Sequence, residues 1–213
     1  MNLGPTADPG IVRLTRSALS RKMPGAGFKG KGLIFRSAPI DGVARRVAFG
    51  EATHQSDGLL RIEPSVGIIH EPLEEILADL TGNSSNLWGA VTLLTNIGYL
   101  EDAGHFRSFA IASPEVVEKV CGEAVGLSLE LGEKFWRQYG SLEAILRGFQ
   151  RRPPLGPTSS TDLRFPIALV LAGQTERSCE IVARRRNEVG EAVGPWFDSF
   201  RRFTGRFLNR YCS

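Results

Sequence analysis

His54, His70 and His105 are the three histidines of the chain, and histidine is the side chain whose ordinary pKa suits proton transfer near neutral pH. Their spacing matches none of the HxxH, HxxxH or HxH patterns that bring two imidazoles onto one metal ion, so no metal site is expected. His70 precedes Glu71 directly, and a carboxylate beside a histidine can orient the ring as a general base. A hydrolase centred on His70, Glu71 and His54, or on His105, with acidic residues gathered from positions 51 to 113, is therefore one reading. No GxSxG nucleophile elbow accompanies these residues. Cys121 falls on an apolar helical stripe, where a cysteine acts as a small buried hydrophobe.

Two stretches bear on phosphate chemistry. Gly25 to Lys31 fits the GxxxxGK spacing, but Gly32 stands where a P-loop needs the hydroxyl of Ser or Thr, and the segment enters a strand instead of opening a helix. It reads as a structural connection with Lys29 and Lys31 reaching solvent, and no cofactor is expected. Arg184, Arg185 and Arg186, then Arg201, Arg202, Arg206 and Arg210, form the strongest electropositive cluster. Antiparallel packing of the last two helices would gather some of them into a patch for phosphates, which makes nucleic-acid binding through Arg184, Arg185, Arg201 and Arg202 the second reading. Against it, Phe200, Phe203 and Phe207 have the spacing of a packing stripe, and Glu180, Glu188, Glu191 and Asp198 neutralise part of the field. With no catalytic constellation, the leading reading is a non-catalytic accessory or protein-interaction module of unknown partner. Its candidate contact residues are Lys29, Lys31, Arg45 and Arg46.

The elements that must position these groups follow from periodicity. Leu33, Phe35 and Ser37 alternate with Ile34 and Arg36, Val43 to Phe49 alternates again, and Leu60, Ile62, Val66 and Ile68 supply a third strand. Pro39, Asp41 and Gly42 reverse the chain between the first two, which predicts antiparallel pairing. Ile11, Leu14, Ala18 and Leu19 have helical spacing ahead of the sheet. Glu71 to Leu80 reads as a helix with Leu73, Ile76, Leu77 and Leu80 inward, while 88–94 fits a strand or a short helix. Phe106, Phe109 and Ile111 read as a short extended piece. From Ser113 a helical pattern runs to Tyr139, with Gly122, Gly126 and Gly132 marking a bend or a close helix contact. A short helix follows Ser141, then helices over Phe165 to Arg186 and Val189 to Leu208, the last divided at Gly194 and Pro195. The fold expected is α+β: an amino-terminal helix, an antiparallel meander of three or more strands, and a carboxyl-terminal helical layer. A single domain over 1–213 is the preferred organisation. The alternative separates a sheet-containing domain at 10–150 from a helical appendage at 160–213, through the proline-rich RRPPLGPTSSTD stretch.

Composition sets the outer limits. The chain has 213 residues, enough for a sizeable core, and 26 basic against 23 acidic side chains give a net charge of only +3. The charge is segregated: residues 1–50 carry nine Lys or Arg and two acidic residues, whereas 51–113 carry two Arg and nine acidic residues. Cys121, Cys179 and Cys212 are widely spaced and odd in number, which argues against a fully disulfide-bonded framework and fits a reducing cytoplasm. No apolar run has the length of a signal peptide or a membrane span, so no membrane association is expected.

A helix followed by GFKGKGLIF, a first turn at DGVARRVAF and a later glycine-bearing strand resembles a bacterial family known only as a domain of unknown function. That family has a Gly-Phe-Lys-basic-basic-Gly phrase before an aromatic strand residue. The matching positions are Gly27, Phe28, Lys29, Gly30, Lys31, Gly32 and Phe35, with Val43 to Phe49 as the next strand and Gly67 in the third. Gly30 departs from the basic residue of the phrase, and AFGE replaces a glutamine-bearing ending. The likeness covers about the first third of the chain and implies an α+β architecture, without implying a chemistry.

Overall fold

The computed structural model describes residues 6–53, 57–83, 87–151 and 158–212. The fold is α+β, with an amino-terminal helix, a central antiparallel strand meander and a carboxyl-terminal helical layer. The chain divides into two compact units, residues 1–68 with 94–138 and residues 69–93 with 139–213. The divisions thus fall inside two strands and at the end of a long helix, away from the proline-rich stretch.

In the first unit, α1 (Pro9–Lys22) starts at Asp8, whose carboxylate accepts the Gly10 N–H at 2.6 Å, with Pro9 at a position that needs no donor. It buries Ile11, Thr15, Ala18 and Leu19. Leu14, expected on that stripe, is 44% exposed. The inward arc runs through 11, 15, 18 and 19, so Thr15 takes the place assigned to Leu14.

Lys29 and Lys31, expected in the connection, belong to a strand of their own. β1 (Lys29–Lys31) and β2 (Ile34–Arg36) form a hairpin with Lys31 opposite Ile34. The two-residue turn has Gly32 at φ 63° in its first central position, where a positive φ lets the pairing close so tightly. β2 pairs antiparallel with β3 (Val43–Ala52), Phe35 opposite Val47. Between them Asp41 and Gly42 have φ of 49° and 76°, and Ile40 and Val43 exchange backbone hydrogen bonds at 2.9 Å. β4 (Leu60–His70) follows β3 in the sheet and β5 (Leu93–Asn96) follows β4, while β6 (Phe109–Ile111) pairs antiparallel with Leu60 to Ile62. The apolar run at 88–94 resolves into a turn at 87–89 and the start of β5.

A 3-10 turn at Pro114–Val116 leads into α3 (Val117–Tyr139), which continues helical through all three glycines. At Gly132 a Cβ would lie 2.7 Å from the ring of Trp136, one turn along the same helix, so the tight contact there is within α3. Trp136 is buried, donates its indole N–H to the Gly67 carbonyl at 2.9 Å, and packs with Phe28 at 5.7 Å between ring centroids.

The second unit holds α2 (Glu71–Thr81), α4 (Leu142–Gln150), α5 (Thr158–Leu171), α6 (Thr175–Val189) and α7 (Pro195–Tyr211). The single helix expected over Phe165 to Arg186 is two, broken by Gly173 at φ 74° and Gln174, while Pro166 sits inside α5. α7 starts at Pro195, as the Gly-Pro pair implies, and buries Phe200, Phe203 and Phe207. Each such ring contributes roughly 1.5–3 kcal/mol by burial, the term that fixes α7 in its unit. Cys179 and Cys212 form a disulfide, Cα to Cα 5.7 Å, that ties α6 to the residue following α7. The sequence reading, which held the cysteines reduced, did not anticipate this bond. Cys121 is free and buried, and burial pushes its thiol up to about 11.

Candidate functional site

His70 ends β4 and caps α2. Its Nδ1 accepts the Leu73 N–H at 3.3 Å, and its own backbone N–H donates to Thr92 Oγ1 at 2.9 Å. Thr92 in turn donates to Glu74 at 2.8 Å, and Glu74 receives Arg164 through Nε and Nη2, each at 2.7 Å. The glutamate and arginine side chains are only 4% and 13% exposed. Glu74 joins His70 through Thr92 and the His70 backbone N–H, and the neighbouring Glu71 opens the helix as a half-buried residue. Burial pushes the His70 pKa down, with Glu74 opposing the shift. The ring, 9% exposed and with its Nδ1 taken by a helix N–H, caps the start of α2. It lines neither the cavity nor the groove described below. His105 is exposed in a loop of the first unit, and His54 lies outside the described residues. Among the described residues no cluster of three or more His, Cys, Asp or Glu could hold a metal ion.

Arg184, Arg185, Arg201 and Arg210 of the second unit have acidic partners. Arg184 lies 3.9 Å from Glu188, Arg185 bonds both Glu188 at 3.0 Å and Asp162 at 3.2 Å, and Arg201 bonds Asp198 at 2.6 Å and the Ala192 carbonyl at 2.7 Å. Arg202 is exposed. Arg206 donates to the carbonyls of Asp79 and Leu80 in the last turn of α2, where the Asp79 carbonyl also accepts the Gly82 N–H, and Arg210 pairs with the Asp79 carboxylate. A cavity of about 330 Å³ between α5, α6 and α7 is lined by Asp162, Phe165, Ile181, Arg185, Glu188 and Phe200. Its charged rim is matched in sign by its own salt bridges.

The amino-terminal candidates separate into three environments. Arg45 bonds Glu133 at 2.9 Å and lies over the Trp136 ring at 5.4 Å, on the α3 side of the sheet. Arg46, one residue on and so on the opposite face, is 7% exposed. Lys29 and Lys31 are exposed on the outermost strand. An open groove of about 770 Å³ lies between α1 and this hairpin, lined by Ser17, Ser20, Lys31 and Phe35 among others. Of the four, only the two lysines stand free as a surface.

One feature escaped sequence reasoning. The loop from Ile97 to Arg107 displays Tyr99 and Phe106, 52% and 50% exposed, as an edge-to-face pair 6.4 Å apart. Asn96 braces it: its Oδ1 accepts the N–H groups of Gly98 and Arg107, and its Nδ2 donates to the carbonyls of Pro64 and Arg107. All four are at 2.8–3.0 Å. Arg107 closes the loop onto Glu101 at 2.8 Å and lies over Phe109. The only signal in the sequence is an Asn-x-Gly followed by two aromatics within an acidic, glycine-containing segment; no periodicity reveals it.

Among the described residues no helix is long and apolar enough to cross a membrane. The chain matches no family model, no curated protein and no solved structure.

Proposed function

We propose that the protein is a non-catalytic interaction module that binds a protein partner through its amino-terminal unit. The observation that supports this reading is the Asn96-braced loop, which holds Tyr99 and Phe106 half out of the surface as a fixed pair. Aromatic side chains ordered before binding lose little entropy on association and dominate the energetics of protein interfaces. His70 has a capping role that accounts for its burial, and the acidic partners on Arg184, Arg185 and Arg201 reduce the field that a phosphate backbone would meet.

The test compares wild type with Tyr99→Ala/Phe106→Ala, both immobilised and exposed to cell extract, with bound proteins quantified by mass spectrometry. At least one partner should fall tenfold or more on the variant at an unchanged melting temperature. Identical recoveries, or turnover of a small-molecule library by wild type that His70→Ala abolishes, would overturn the reading. The cytoplasmic location read from the cysteine count has its own check. A reduced protein in the cell would tag at Cys179 and Cys212 with maleimide after acid quenching, and an oxidised one would not.

A further inference from the structure

We infer that the cavity between α5, α6 and α7 is a binding site for a small uncharged aromatic molecule that carries a ring N–H or O–H. The site lies within the second unit and does not depend on the interaction reading. Its volume of about 330 Å³ is at the small end of the roughly 300–1,000 Å³ that ligand sites span, and the space between packed helices is one of the places where they form. Phe165, Pro166, Ile181, Val182 and Phe200 give it an apolar lining. Both phenylalanines are held by other rings, Phe165 edge-to-face with Phe149 at 6.2 Å and Phe200 stacked with Trp196 at 5.2 Å. A ring entering the cavity therefore meets two aromatic side chains that are already ordered, and little entropy is lost in arranging them.

Two features select the ligand. The charged residues of the lining, Asp162, Arg184, Arg185 and Glu188, are two anions and two cations. Arg185 bonds Asp162 at 3.2 Å and Glu188 at 3.0 Å, and Arg184 lies 3.9 Å from Glu188. A charged ligand would meet a repelling group for each attracting one and would have to break into these pairs, whereas an uncharged one leaves them intact. The second feature is Pro166, which stands inside α5. Proline has no N–H, so the carbonyl of Asp162, four residues earlier, lacks the donor that a regular helix supplies. Asp162 and Pro166 both line the cavity, so an N–H or O–H on the ligand can stand in for that missing donor at its wall. An indole or a phenol combines the flat apolar body with the single donor.

The experiment is a titration of the full chain followed by methyl NMR, with indole, 1-methylindole, indole-3-acetamide, indole-3-acetate and tryptamine as probes. Indole should bind with a Kd of about 1 mM or tighter and shift the methyl signals of Ile181 and Val182. 1-Methylindole keeps the ring, loses the donor, and should bind about threefold more weakly or worse. Indole-3-acetate and tryptamine should each bind at least about fivefold more weakly than the uncharged indole-3-acetamide. Ile181→Trp fills the cavity from a half-buried position and should abolish the shift at Val182. Glu188→Gln, at an exposed position, leaves the arginines in excess and should bring indole-3-acetate to within about twofold of the acetamide while indole binds as before, so the test does not hang on whether the larger side chain is accommodated. Indole binding weaker than about 1 mM, equal affinity for indole and 1-methylindole, charged probes that match the acetamide, or a folded Ile181→Trp that binds like wild type overturns the inference.

Discussion

Removing Arg164 alone should be far more damaging than removing it together with Glu74. The two side chains make two charge-assisted hydrogen bonds at 2.7 Å with 13% and 4% exposure. Bonds of this kind contribute about 1.5–3 kcal/mol each. In Arg164→Leu the Glu74 carboxylate keeps only Thr92 as a donor, so part of the loss is recovered and the net cost should be about 3–5 kcal/mol, the range for stranding one half of a buried pair. Glu74→Leu strands a guanidinium that is slightly more exposed and should cost about 2–4 kcal/mol. The double replacement exchanges a desolvated ion pair for apolar packing and should lie within about 2 kcal/mol of wild type, leaving only the Thr92 hydroxyl hydrogen without an acceptor. Urea unfolding followed by circular dichroism gives the three values, and the coupling between the two changes should be about 3 kcal/mol or more. A loss below about 1 kcal/mol in Arg164→Leu, or a double variant whose loss equals the sum of the singles, would refute the view that this cluster holds α2 to α5.

The remaining predictions concern the cap and the loop. Because burial lowers the folded-state pKa of His70, the unfolded chain takes up that proton more readily. Stability should therefore fall as pH drops through the unfolded value of about 6.5 toward the lower folded one. His70→Asn keeps a capping acceptor and removes the titration, so its melting temperature should fall less than that of wild type between pH 7.5 and 5.5; equal slopes would remove His70 as the source. In Gly98→Ala the added Cβ would meet the His105 carbonyl oxygen and lie 2.7 Å from the Cβ of Arg107. Backbone cannot turn aside as a flexible side chain can, so about 1–3 kcal/mol should be lost, together with exchange protection at the Arg107 amide. Unchanged protection would mean that the loop is not held as described.

The sheet was legible because its strands alternate and its reversals use residues suited to positive φ; Asp41 and Gly42 show this directly. β1 was missed because three residues containing two lysines and a glycine carry no hydrophobic alternation, and only the Gly32 turn brings them into register. The break between α5 and α6 was missed because Gln174 to Ser178 read as a polar turn of one continuing helix between two apolar stretches, and only Gly173 marks the break. The His70 cluster was half legible. The adjacent Glu71 drew attention, whereas Glu74, one helical turn into α2, receives Arg164 from ninety residues away. Sequence distance of that size leaves no local pattern to read.

Charge in this protein divides by burial. Glu74 and Arg164 are desolvated and engaged with each other, so their chemistry is spent on holding helices together, and the proton that His70 moves registers as stability. Lys29 and Lys31 remain hydrated on the outermost strand of the sheet order. Charges so exposed contribute little to folding, so replacing Lys29 or Lys31 should change the stability of the fold by no more than about 0.5 kcal/mol.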